Sequence, residues 1–157
     1  FCQKIPLSVG TILGDGYHIN TYPDVCAVFP KMPFAANSFD VVMCFQVIEH
    51  MPFSMFKESL RELIRVSREF ILVSLPDMTR TRKEIFKYKI FHLLGHPKEW
   101  MKFKPRSIDK EHFWEIGNKD ITREKIVSVI EEENISILNS FYNELNPYHY
   151  FFIIEKN

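Results

Sequence analysis

The sequence predicts an α/β fold, a mostly parallel sheet closed by an antiparallel pair of strands. Three observations carry this. Residues 39–45, Phe-Asp-Val-Val-Met-Cys-Phe, are apolar almost without a break, the pattern of a strand covered on both faces. Apolar residues then recur at helical spacing from Ser54 onward, and Phe70–Pro76 forms a second buried strand, so that 39–76 has the length of one parallel crossover unit. The chain closes on two β-rich stretches, 135–142 and 149–156, whose link through Asn146 and Pro147 suits a hairpin.

Taken in order, residues 9–16 read as a short strand ending in the turn Gly14-Asp15-Gly16. Residues 24–29 read as another, with seven residues between the two, too few for a crossover helix. After Pro52, Ser54 is the expected N-cap of a helix. Its inner face carries Phe56, Leu60, Leu63 and Ile64; Lys57, Glu58, Arg61, Glu62 and Arg65 take the outer one. Pro76 stops the following strand. Residues 81–94 read as a basic amphipathic helix and 95–107 as a loop. Past His112–Gly117, a helix over 122–133 is expected, with Thr122 as its N-cap and Ile126, Val127 and Ile130 inside.

The 157 residues suffice for one domain with a real core, and 46% hydrophobic with 25% charged residues is ordinary globular composition. Twenty basic residues balance twenty acidic ones, so bulk charge names no partner. The charge is unevenly placed, however. Residues 80–106 hold nine Lys/Arg against two Glu, interleaved with Phe86, Tyr88, Phe91, Trp100 and Phe103. Three roles are open to this segment: a lid over an acidic or phosphorylated acceptor, a peripheral contact with an anionic membrane or nucleic acid, or a solvated helix with an ordinary apolar face. No specific nucleic-acid target is indicated. Cys2, Cys26 and Cys44 are odd in number and form no CxxC pair, which argues against a disulfide framework or a zinc site and for reduced thiols in a cytoplasmic protein. No apolar run approaches the roughly 20 residues of a membrane-spanning helix. The chain begins with Phe1, so a fragment is expected.

Open α/β sheets bind ligands beyond the carboxyl ends of their strands. The strand 39–45 ends at such a place, and Gln46, Glu49 and His50 follow it directly. Here the sequence resembles the class I S-adenosylmethionine-dependent methyltransferases of the type 11 group. The resemblance rests on Met32-Pro33-Phe34, Asn37-Ser38-Phe39-Asp40-Val41-Val42, Val47-Ile48-Glu49-His50, Arg61-Glu62-Leu63-Ile64-Arg65-Val66 and Leu72-Val73-Ser74-Leu75-Pro76. It is close over 32–76, and the stretch from His112 to the chain end is similar to a bacterial and archaeal subgroup.

The resemblance implies a Rossmann-like sheet with a carboxyl-terminal antiparallel hairpin, here truncated at its amino end into a single partial domain over 1–157, with 80–107 as an insertion or cap. It implies S-adenosylmethionine as cofactor. Asp15 is placed to accept hydrogen bonds from the ribose hydroxyls, although it also reads as a turn residue between two glycines. Cys44, Phe45 and Gln46 are expected to line the cofactor. Glu49 and His50 are the candidate catalytic pair, His having an ordinary pKa suited to proton relay; the alternative is that both merely begin a turn and cap or pair with nearby groups. His112, Trp114 and Glu115 are candidates for the acceptor site, with a packed Trp and flanking polar groups as the alternative. Similar small-RNA 2′-O-methyltransferases use a Glu-x-x-Glu-His run for Mg²⁺. Gln46 replaces its first carboxylate, so no metal is expected.

The sequence departs from the pattern in three places. No Gly-rich cofactor loop is found, Val28 stands where an acid contacts adenine, and Gln46 stands where Glu is commoner. Two functions follow: methyl transfer to a small-molecule, sugar or lipid-linked acceptor, or a non-catalytic methyltransferase-like scaffold. Without the loop, these residues alone are expected to bind S-adenosylhomocysteine weakly or not at all.

Overall fold

The computed structural model describes residues 3–5, 12–13 and 25–27 by their backbone, and 29–79, 112–118, 120–143, 146 and 148–157 with side chains. Asp15, Val28 and the basic-aromatic segment 80–107 lie outside the described residues. Among the described residues there are seven strands: β1 (Gln3–Ile5), β2 (Ile12–Leu13), β3 (Val25–Ala27), β4 (Phe39–Phe45), β5 (Ser67–Pro76), β6 (Ile135–Tyr142) and β7 (His149–Lys156). The α-helices given in full among the described residues are α1 (Phe56–Val66) and α2 (Arg123–Glu131). Five strands form one sheet in the order β2-β4-β5-β7-β6; the β2–β4 and β4–β5 pairings are parallel, and β7 runs antiparallel to both β5 and β6.

Register explains the core. Val42 faces Ile71, which faces Ile154; Cys44 faces Val73, which faces Phe152. Directly paired residues share a face of a sheet, so these six, all buried, form two rows across three strands. Phe56, Leu60 and Leu63 of α1 and Ile126 and Ile130 of α2 join the same buried cluster. Burying each such side chain stabilises the fold by about 1.5–3 kcal/mol. The opposite face is different. Its row Met43–Leu72–Ile153 is half-buried and Val41 is exposed. The expectation of a strand covered on both faces is therefore met on one face only among the described residues, where both helices lie on the same side.

Three local expectations need correction. Ser54 does not cap α1: it lies inside a 3-10 turn, Phe53–Met55, and the helix opens at Met55 with no side-chain cap. Stacking of Phe53 on Phe56 (centroids 5.6 Å apart) occupies the turn in which a cap would act. Second, the stretch 24–29 does not add a parallel strand: its described part, β3, pairs antiparallel with β1 in a separate two-stranded sheet. Third, β5 begins at Ser67, directly after α1. Thr122 does cap α2, accepting from the Lys125 amide.

Two cations fasten the entry to β4. Arg65 donates to the carbonyls of Phe34 (2.7 Å) and Met32 (3.2 Å) while pairing with Glu62. The Lys156 ammonium donates to Asn37 Oδ1 and to the carbonyls of Ile64 and Ser67. Asn37 sits in the left-handed region at φ 56°, a conformation Asn adopts more readily than most residues.

Candidate active site

β4 and β5 run parallel; β4 ends at Phe45, opposite Ser74, and β5 continues two residues further to Pro76. Gln46 extends the ladder by one bond, its amide donating to the Ser74 carbonyl at 3.1 Å, and its side-chain amide donates to Ser74 Oγ at 3.2 Å. Its φ of 54° turns the chain sharply out of the strand. A non-glycine residue in this region costs about 1–2 kcal/mol, and such outliers gather where a site over-determines the backbone. Val47 and Ile48, both buried, then anchor a 3-10 turn, Ile48–His50, which carries Glu49 inward and leaves His50 half-buried.

A second segment closes over this turn. The Phe113 amide donates to the Glu49 carbonyl (2.9 Å), and the Trp114 indole N–H donates to the Met51 carbonyl (2.9 Å). Ile116 bridges to the end of β5, donating to the Pro76 carbonyl and accepting from the Met78 amide. Gly117 makes the exit. It has φ 82°, and a Cβ there would lie 2.6 Å from Thr79 Oγ1, so only glycine fits without displacement.

Docking of this segment brings His112 to the Glu49-His50 pair. The rings of His50 and His112 meet edge to face, centroids 4.7 Å apart. His112 Nε2 stands 4.0 Å from Glu49 Oε1, and its Nδ1 stands 2.8 Å from Glu115 Oε1. The Tyr148 hydroxyl donates to that same Glu115 oxygen at 2.6 Å. Both carboxylates are fully buried. One potential ligand atom from each of Glu49, His50 and His112 falls within 4.8 Å of the other two.

The predicted residues therefore separate. Glu49, His50, His112 and Glu115 are brought together. Trp114 is 3% exposed, wedged edge-on against Phe53 and Phe56, and belongs to the core. Cys44 also faces inward; burial first, then the Glu49 carboxylate, push its thiol well above the usual range, so it stays protonated. Its side chain belongs to the packed face under α1, where alternation along β4 places it, and not to the edge beyond Phe45. Phe45 is half-buried on the opposite face against Phe151. Asp15 lies outside the described residues, but β2, which leads toward it, pairs parallel with β4, Leu13 opposite Cys44.

Tyr148 was not found from the sequence, because nothing local ties a hairpin tyrosine to His112. Asp77 was also missed. It is fully buried just past β5 and accepts from the Thr79 amide (2.7 Å), Arg123 (2.9 Å) and the Tyr142 hydroxyl (3.1 Å). The Arg123 guanidinium lies over the Tyr150 ring at 4.4 Å. The spacing of His112 and Glu115, three apart, was the one available signal for their pairing.

Comparison with known proteins bears on this edge. Residues 16–69 match the family described as a methyltransferase domain. The chain is similar in structure to a SAM-dependent methyltransferase from Aquifex aeolicus, with a TM-score of 0.52 at 11% identity, over 85% of this chain and 54% of that one. The fold is that of a class I methyltransferase. The small RNA methyltransferase HEN1 has the same fold at TM-score 0.51 and 18% identity, over 79% of this chain and 15% of its own. An uncharacterised protein of Methanocaldococcus jannaschii is 32% identical over 69 residues, which span 43% of this chain and 31% of the relative. The match thus covers under a third of that relative's length. Within the methyltransferase fold, the carboxyl edge of β4 and β5 is the edge that carries Gln46, Glu49 and His50. No helix among the described residues is long and apolar enough to cross a membrane.

Proposed function

We propose that this chain forms part of an S-adenosylmethionine-dependent methyltransferase, with cofactor beyond the carboxyl ends of β2 and β4 and the acceptor beside Glu49 and His50. The observation that carries the reading is the parallel set β2-β4-β5, whose common carboxyl edge collects Gln46, Glu49 and His50. In this reading Asp15 binds the ribose and Gln46 and Phe45 border the cofactor. An acceptor atom attacks the sulfonium methyl in line, the carbon–sulfur bond breaks, and S-adenosylhomocysteine leaves as a neutral thioether. The leaving group is already activated, so holding the reactants in line supplies much of the rate. Where the acceptor is a hydroxyl or ammonium, its proton must also go somewhere, and His50, half-buried beside Glu49, is placed to take it. A small-molecule, sugar or lipid-linked acceptor fits this scheme.

The test is calorimetric titration of S-adenosylhomocysteine into the full-length gene product carrying these residues. Saturable binding, weakened at least about tenfold by Asp15→Ala as expected for a lost charge-assisted contact, supports the reading. Absence of binding by the folded protein refutes it in favour of the scaffold alternative that Val28 and Gln46 suggest.

A further inference from the structure

We propose that Glu49, His50 and His112 bind one divalent transition-metal ion, with Glu115 and Tyr148 positioning His112. The expectation of no metal rested on Gln46, which removes a carboxylate from the 46–50 run. The structure supplies other donors, from a segment more than sixty residues away in sequence. The inference concerns ion binding alone and does not depend on methyl transfer.

Three features point to an ion. The first is convergence. Ligands about 2.0–2.2 Å from one ion lie roughly 3–4 Å apart. The three candidate atoms lie within 4.8 Å of one another, so shifts well under an ångström would close them on a common centre. His112 Nε2 and Glu49 Oε1, at 4.0 Å, are too far apart for a direct hydrogen bond but suit two ligands of one ion.

The second feature is orientation. A carboxylate only accepts, so the short contact to Glu115 assigns the proton to His112 Nδ1. In the neutral ring, Nε2 then presents its lone pair toward Glu49. Metal-binding histidines characteristically donate their other N–H to a carboxylate in this way. Tyr148 fixes Glu115 in turn. The third feature is charge. Glu49 and Glu115 are both fully buried, and the His112 side chain between them is 7% exposed. A divalent cation between them would add positive charge beside two buried carboxylates.

Two imidazoles and one carboxylate favour Zn²⁺, Co²⁺, Fe²⁺ or Mn²⁺ over Mg²⁺, and leave coordination positions open for water or an acceptor oxygen. Half-buried His50 provides the side from which an ion enters.

Co²⁺ titration of the chain, followed by its visible ligand-field absorption with Zn²⁺ as competitor, tests the assignment. One equivalent is expected to bind and to be displaced by Zn²⁺. Glu115→Gln, which changes no ligand, is expected to weaken binding by about 10–100-fold. His50→Gln, at the half-buried ligand least demanding of the fold, should weaken it at least as much; circular dichroism establishes that both variants remain folded. No saturable binding to the folded chain would overturn the assignment. So would wild-type affinity in both variants, or thiolate charge-transfer bands showing that a cysteine holds the ion.

Discussion

Replacing Trp114 with Phe tests whether the segment carrying His112 is held by its indole. The ring is 3% exposed, its faces and edges meeting Phe53 and Phe56 at centroid distances of 5.1 and 5.5 Å, and its N–H donates to the Met51 carbonyl. Phenylalanine keeps one six-membered ring but loses the rest of the indole. Loss of the hydrogen bond leaves the Met51 carbonyl without that donor, at a cost of about 0.5–1.5 kcal/mol. The smaller ring removes roughly 40 Å² of buried apolar surface, about 1 kcal/mol at 25 cal/mol per Å². A residual cavity and weakened edge contacts add about 0.5 kcal/mol. The variant should therefore lose about 2–3 kcal/mol. Trp114→Ala should lose about 3–5 kcal/mol.

Guanidinium unfolding followed by far-ultraviolet circular dichroism measures this, since Trp100 would complicate a fluorescence reading. A lower midpoint with an unchanged denaturant slope is expected, because the loss is in the native packing. A loss below about 0.5 kcal/mol for Trp114→Phe, the range of an uninvolved surface substitution, would show that the indole does not fasten the segment.

Other consequences concern the same edge. Burial, then the Asp77 carboxylate, raises the Tyr142 phenol to about 12 against an ordinary value of 10.0. A raised acid stabilises the fold fully below the unfolded value and loses that contribution as pH climbs from about 10 to about 12. The full shift would correspond to about 2.7 kcal/mol, which solvent screening at this partly exposed side chain reduces to about 1 kcal/mol. Wild-type stability should thus fall more steeply than that of Tyr142→Phe across this window in chemical denaturation at a series of pH values; parallel curves would contradict it. At Gln46, the left-handed φ sorts substitutions by backbone preference. Gln46→Gly should change stability by less than about 1 kcal/mol, since relief of strain offsets the lost side-chain bond and the greater freedom of the unfolded chain. Gln46→Val should cost about 2 kcal/mol more than Gln46→Gly, because a β-branched residue resists positive φ. Equal stabilities for the two would mean that the turn relaxes.

Much of the framework was legible because it is written locally. β4, β6 and β7 occupy 39–45, 135–142 and 149–156 as their apolar runs indicate, and Thr122 caps α2 as its side chain permits. Ser54 misled because a cap signal competes with packing: Phe53, stacked on Phe56, sets the 3-10 turn instead. The partner of β3 was not readable at all, since strand pairing is a non-local choice that an isolated apolar run does not encode. The site divides in the same way. Gln46, Glu49 and His50 stand out because polar groups follow a buried strand at its carboxyl end. Their meeting with His112 and Tyr148 depends on how two distant segments dock, which no local spacing expresses.

That docking couples the site's chemistry to the fold's stability. Glu49 and His112 come from different segments, and the bonds that join those segments, from Phe113 to the Glu49 carbonyl and from Trp114 to the Met51 carbonyl, involve no group of the candidate site's own side chains. Backbone and indole contacts thus set the distance between the charged groups, leaving the imidazole and carboxylate atoms to engage one another or a ligand. Had the segments been joined only by His112 and Glu49, drawing either toward an ion or an acceptor would have loosened the clamp. With the clamp built from other groups, the side chains can shift by fractions of an ångström while the segments stay docked, as a site that must bind and release requires.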